Sequence, residues 1–199
     1  MKKLLVILLA ALVFSASTAS ASAEDAENAK NLLKDNISSV IKVLEQEDLR
    51  DDQKKSKIES IVDPAFNYQL MAKLALGPRQ WPELNREQKE TFSKRFITSL
   101  KESYFDKISM YSADQDAEFS YGTPSEKNGK VQIPVTVRSG DEKIEMTYKL
   151  YHSENNWKIY DVELSGVSII KSYRSQFEEV LSDGTVEELL EKLKNPDEL

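Results

Sequence analysis

Two side chains in this sequence of 199 residues are placed to move a proton: His152, the one histidine, and Asp161, an acid inside a mostly apolar run. His152 falls between Tyr151 and Ser153 at the start of an expected turn, 152–156, where an imidazole is solvated. A half-buried carboxylate at Asp161 would have a raised pKa and could serve as a general base. No second group stands at motif spacing from it, and an Asp hydrogen-bonded to backbone, Tyr or Arg is the favoured reading. There is no G-x-S-x-G, H-E-x-x-H, G-x-G-x-x-G or Gly-rich phosphate loop. With no cysteine, thiolate metal sites, Cys nucleophiles, disulfides and a lipid-modified Cys are all excluded. Asp51-Asp52 and Asp114-Gln115-Asp116 lack the rest of a calcium-loop pattern and read as helix caps or solvated turns. The residues therefore point to no metal site and no catalytic constellation.

Charge and the N-terminus narrow the class further. The 27 Lys and Arg against 34 Asp and Glu give a net charge of −7, which argues against non-specific nucleic-acid binding. Lys2 and Lys3 precede an apolar run over 4–14, followed by the overlapping small-residue sites Ala19-Ser20-Ala21 and Ala21-Ser22-Ala23. That layout is a secretory signal peptide, and the run is short of the roughly 20 residues that span a bilayer. Cleavage after Ala23 leaves a single domain at 24–199. It also removes two positive charges, taking the net charge from −7 to −9. The expectation is an exported, periplasmic protein without stable membrane insertion.

Periodicity gives the elements that must position any site. Leu32, Leu33, Ile37, Val40, Ile41 and Leu44 make one apolar stripe, so 31–47 reads as a helix. A second helix is expected over 51–62. Asp63-Pro64 reads as N-cap and first position of a third, which Gly77-Pro78 stops after Leu76. Asn85, with Gln88 three residues on, should cap the longest helix, 86–111, in which Phe92, Phe96, Leu100 and Tyr104 repeat every four residues.

After Ser112 the period falls to 2. Short strands are expected at 117–121, 131–138, 144–150 and 157–164, an antiparallel meander with one apolar face. In the last strand Trp157 and Ile159 fall on one face, and Tyr160, Val162 and Leu164 on the other. Beyond Gly166 a helix through Tyr173, Phe177, Val180 and Leu181 ends at Gly184. Thr185 and Glu188 form a capping box for a final helix. The fold class is α+β: helices, then a sheet, then two helices packing back. A sheet covered by helices can leave an apolar cleft between the layers, although the same side chains would also fill a core.

Several segments, in order, resemble the MlaC / toluene-tolerance family of periplasmic phospholipid-binding proteins. They are the run from Phe66-Asn67-Tyr68 to Leu76-Gly77 with Trp81, Leu84, Gln88 and Phe92; then Trp157-Lys158-Ile159-Tyr160-Asp161-Val162; Gly166-Val167-Ser168; and Tyr173-Arg174-Ser175-Gln176-Phe177. Gly184, Leu189 and Leu193 match the end of the pattern, and the similarity spans about residues 30–195. The resemblance implies a curved, four-stranded antiparallel sheet of nuclear-transport-factor-like (cystatin) type with an N-terminal helical subdomain. It implies a monomeric carrier of glycerophospholipid, with no cofactor beyond its cargo. Its partners would be an inner-membrane ABC transporter complex and an outer-membrane lipoprotein complex.

In such a fold the pocket lining would draw on Leu70, Met71 and Leu74 of the third helix and on Phe96, Leu100 and Tyr104 of the long one. Val135, Tyr148, Tyr160 and Val162 would come from the sheet, and Val167, Ile170, Tyr173 and Phe177 from the segment after it. Lys143 and Trp81 would stand at the rim or contact a partner. Two other readings stay open: a periplasmic chaperone-like module binding a protein segment, and an enzyme with Asp161 as base.

Overall fold

The computed structural model describes residues 17–112, 117–153 and 156–195, with side chains from residue 23 onward except those of 104–112. The expected leader run at 4–14, Asp114 and Asp116 lie outside the described residues, as do the side chains of Tyr104, Phe105, Ile108 and Tyr111. Among the described residues, six α-helices and six strands follow in the order helices, sheet, helices.

The first helix, α1 (Ser17–Leu44), begins earlier than its stripe required and buries Ala26, Ala29 and Leu33. α2 (Asp51–Val62) is where the sequence put it. The next segment differs. Asp63–Ala65 is a single 3-10 turn, and Phe66 leaves it extended to bridge Ile159 of the sheet. α3 (Tyr68–Glu83) starts only after that bridge, with the Asn67 side chain accepting from the Leu70 N–H at 2.9 Å. Pro64 thus opens a turn, and the tertiary bridge at Phe66 postpones the helix.

Gly77 and Pro78 do not stop α3 but break it in two. Gly77 sits at φ 88°, a left-handed value glycine adopts without a Cβ penalty. Pro78 has no N–H for the carbonyl of Leu74, four residues back. That carbonyl accepts instead from Arg174, whose Nε lies at 2.9 Å and whose second guanidinium nitrogen also donates to it. α4 (Arg86–Ser112) carries the expected reciprocal cap: Gln88 N–H donates to Asn85 Oδ1 at 2.9 Å, and Asn85 N–H to Gln88 Oε1 at 3.0 Å.

The sheet holds the four expected strands and two short additions. β1 (Glu118–Tyr121), β3 (Lys130–Ser139), β4 (Glu142–Ser153) and β5 (Asn156–Leu164) lie side by side, antiparallel. β2 (Ser125–Lys127) pairs with β3, and β6 (Val167–Ser168) with β5. Val131, Ile133, Val135 and Val137 are buried against the helices. Leu150, Tyr148, Met146 and Ile144 stand opposite them on β4 and share that face.

A bulge resolves the mixed pattern of β5. Leu150 pairs with Ile159 and Lys149 with Asp161, so Tyr160 is the extra residue. The inserted residue restores parity, and Trp157, Ile159, Val162 and Leu164 all face the helices. α5 (Ile169–Asp183) and α6 (Val186–Lys192) close the fold, α6 under the expected Thr185–Glu188 capping box. The core between the layers centres on Phe92 and Phe96 of α4 with Tyr173 and Phe177 of α5. Ring centroids across that seam are 5.2 Å (Phe96–Tyr173) and 5.5 Å (Phe92–Phe177) apart, both edge-on. Such pairs add about 0.5–1.5 kcal/mol each beyond their burial.

Candidate functional site

The two proton-moving candidates are accounted for structurally. His152 lies in β4, not in a turn, is exposed, and sets its ring edge-on to Trp157 at 5.3 Å. Asp161 is buried, and three donors meet it: Ser168 Oγ at 2.8 Å, Lys149 Nζ at 3.1 Å and the Ile170 N–H at 3.3 Å. Ser168 is also the N-cap of α5, accepting from the Lys171 N–H. The carboxylate thus sits at the positive end of the α5 dipole and ties the bulge to the helix start. Lys149 also binds Glu163. Burial opposes its charge, but the hydrogen bonds and charges of Glu163 and Asp161 win, and its pKa stays above the ordinary lysine value. Among the described residues no group of three or more His, Asp or Glu is placed to hold a metal.

The apolar inner face of the sheet remains, and its cover is uneven: Val135, Val137 and Val162 are buried among neighbours that are not. Val131, Ile133, Leu150 and Ile159 are fully buried. Toward the other end, Phe119, Tyr121, Ile144, Met146, Tyr148 and Leu164 point the same way and are only half-buried. This is the end at which β5 finishes and α5 begins. The later half of α4 lies toward it too, since the Tyr173 hydroxyl in the second turn of α5 reaches Ser103 of α4 at 3.5 Å. Among the described residues the Tyr148 hydroxyl meets the Met146 sulfur, at 3.9 Å. Burial, then the nearby Tyr121, pushes its pKa up to about 12.

The residues expected to line a pocket divide accordingly. Met71, Phe96, Leu100, Val135, Val162, Ile170, Tyr173 and Phe177 are packed into the core. Leu70, Leu74, Trp81 and Tyr148 are half-buried around it. Two positions lie elsewhere. The bulge turns Tyr160 to the outer face, under Lys130 Nζ (5.5 Å to the ring centroid) and beside Tyr151. Val167 follows the Ser165-Gly166 turn, whose positive φ values turn it outward, and is 60% exposed. Lys143 is on the surface, paired with Glu145.

Phe119, Tyr121, Ile144, Met146 and Leu164 were legible as strand positions but not as a partly open face, because alternation assigns a face and not what covers it. A cleft of ≈ 1010 Å³ lies between α5 and α6, but Glu179, Glu187, Glu188 and Glu191 line it. Carboxylates do not receive hydrocarbon.

Fold and site together define a class: a helix-covered sheet with an apolar inner face, whose titratable side chains hold the fold together. The family model for the MlaC protein matches residues 34–195, and the chain belongs to that family. Among solved structures it is similar to a phospholipid-binding protein from Ralstonia solanacearum, determined in complex with a phospholipid. The two are 24% identical with a TM-score of 0.73, over 85% of this chain and 96% of that one. No curated protein matches the sequence.

Proposed function

We propose that this chain is a periplasmic carrier of phospholipid, which holds acyl chains between the inner face of the sheet and the helices and exchanges them with protein complexes at the two membranes. Family membership over residues 34–195 is the observation that carries this reading. The Ralstonia protein of the same fold holds a phospholipid, and the half-buried apolar end of the sheet offers acyl chains a place. Met146, Tyr148, Leu164 and Val162 would form the wall on the sheet side, and Leu100, Ile170 and Tyr173 the helical side. Lys143 and Trp81 would stand at the rim or meet a partner.

The energetics suit a carrier. Each methylene taken from water is worth about 0.8 kcal/mol, so two acyl chains amount to some 20 kcal/mol of gross transfer energy. A protein surface without an apolar interior cannot compete with a bilayer for such a molecule. Among the described residues no helix is long and apolar enough to cross a membrane. Removal of residues 1–23 leaves a strongly acidic chain, which anionic lipid surfaces repel. Docking on membrane proteins answers that repulsion.

Transfer between vesicles tests the reading. Mature protein incubated with donor vesicles carrying labelled phosphatidylethanolamine, and then separated, retains lipid in a protein-bound fraction. It delivers that lipid to acceptor vesicles bearing the partner complexes. Protein that is fully folded yet takes up no phospholipid refutes the proposal.

A further inference from the structure

Where the inner face of the sheet meets α1, two hydrogen-bond donors stand side by side at the boundary of an apolar surface. Tyr121 ends β1, an edge strand, and its half-buried ring belongs to the inner face. From it one row runs across the sheet through Val135 and Met146 to Leu164. Apart from the Tyr121 hydroxyl the row is apolar. Three strand spacings, about 14 Å, separate its ends, so an acyl chain lying along the row emerges at one of them.

The two ends differ in charge. At the far end Leu164 is followed by the Ser165-Gly166 turn and the exposed Val167, none of which is charged. At the near end Lys34 of α1 holds its ammonium over the Tyr121 ring, 5.4 Å from the centroid. Lys30, one helical turn earlier, is already paired with Glu27 at 3.4 Å. Among the described residues no carboxylate pairs with Lys34 and no group meets the Tyr121 hydroxyl.

Both groups are therefore open to a ligand. The ring contact orients the ammonium and leaves its three N–H donors unused. Burial raises the Tyr121 pKa above the ordinary tyrosine value, so the hydroxyl keeps its proton and stays a donor. An ammonium held over a phenol ring lets the two groups donate to different oxygens of one phosphate. The mature chain is otherwise strongly acidic and repels anions, so an unpaired cation at the edge of an apolar face decides where an anionic group can sit.

We propose that Lys34 and Tyr121 form a subsite for the phosphate of the cargo, which brings the head group out at the β1 edge and selects phosphate-bearing lipids over neutral ones with the same chains. This inference rests on the phospholipid-carrier reading.

Phosphatidic acid and diacylglycerol of identical acyl chains differ only in the phosphate, and a competition between them tests the subsite. Mature protein stripped of lipid is offered the two in equal amounts in non-ionic mixed micelles and then repurified. Its lipid is extracted and quantified by mass spectrometry, and circular dichroism confirms that each variant is folded. Wild type holds phosphatidic acid in excess. Lys34→Gln lowers the ratio of phosphatidic acid to diacylglycerol by about three- to fivefold, the reach of a partly exposed ion pair. Tyr121→Phe, which keeps the ring under the ammonium, lowers it less, and Lys34→Arg preserves it. An unchanged ratio in Lys34→Gln overturns the subsite and leaves the carrier reading intact. Displacement of phosphatidic acid from wild type by millimolar inorganic phosphate assigns the pair to free anions and also overturns head-group recognition. Folded wild type that retains neither lipid overturns the carrier reading and the subsite with it.

Discussion

Replacing Arg174 by methionine keeps most of the apolar stem and removes the guanidinium that serves the broken helix α3. Arg174 Nε donates to the Leu74 carbonyl at 2.9 Å, and a second nitrogen of the same group donates to the same oxygen. The helix itself offers that carbonyl nothing, since the residue four positions on is Pro78. A hydrogen bond from a charged donor contributes about 1.5–3 kcal/mol, and a part-buried carbonyl left unpaired costs about 1–3 kcal/mol. These describe one event from two sides, so Arg174→Met should destabilise by about 2–3 kcal/mol. In a domain of this size that lowers Tm by roughly 4–12 °C. Urea unfolding of lipid-free protein is the assay, because bound lipid would add its own stabilisation, and the change should appear in the midpoint at constant slope. Arg174→Lys, with its charge but no fork, should fall between the two. A loss below about 0.5 kcal/mol for Arg174→Met, within the range of ordinary surface substitutions, would refute the assignment of Arg174 as partner of the orphaned carbonyl.

Asp161→Asn breaks a buried, three-donor carboxylate site and should cost about 3–5 kcal/mol, while lipid transferred per folded molecule stays unchanged; loss of transfer without loss of stability would return Asp161 to a functional role. Tyr148 gives a pH signature. Its pKa is pushed up to about 12 in the folded protein against about 10 in the unfolded chain, so between those values the unfolded chain has released a proton that the folded one keeps. Stability therefore falls as pH rises from about 10 to 12, and Tyr148→Phe, followed by urea unfolding across that range, should remove this part of the loss. Met146→Lys puts a charge on the half-buried inner face, where solvent still reaches the site; the variant should fold and retain several-fold less phospholipid, measured by extraction and phosphate assay. Cleavage after Ala23 predicts a secreted chain beginning at Glu24, which N-terminal sequencing of periplasmic protein reads directly.

Local chemistry carried much of the fold into plain view. Asn85 with Gln88 and Thr185 with Glu188 are caps whose partners lie three residues away, so the structure reproduces them as read. The strands at Val131–Val137 and Ile144–Leu150 announced themselves by alternation. What escaped depends on contacts distant in sequence. Phe66 is drawn into a bridge with Ile159 across more than ninety residues, which delays α3 despite the Asp63-Pro64 signal. Gly77-Pro78 reads as a stop, but α3 resumes beyond it, with the guanidinium of Arg174, a hundred residues on, meeting the carbonyl left at the break. The parity change between Ile159 and Val162 was visible as an anomaly; the bulge at Tyr160 turns it into a continuous apolar face and sends Tyr160 to the opposite side. Asp161 looked like a possible base because a sequence shows an acid among apolar neighbours but not the serine and lysine that meet it.

Native mass spectrometry of protein purified from the periplasm without added lipid tests the central claim most directly. A chain that carries phospholipid should appear as the mature mass plus the mass of one or more phospholipids, and organic extraction should remove the excess and lower the melting temperature. Folded protein at the bare mature mass, unchanged after incubation with phospholipid vesicles, would contradict the assignment.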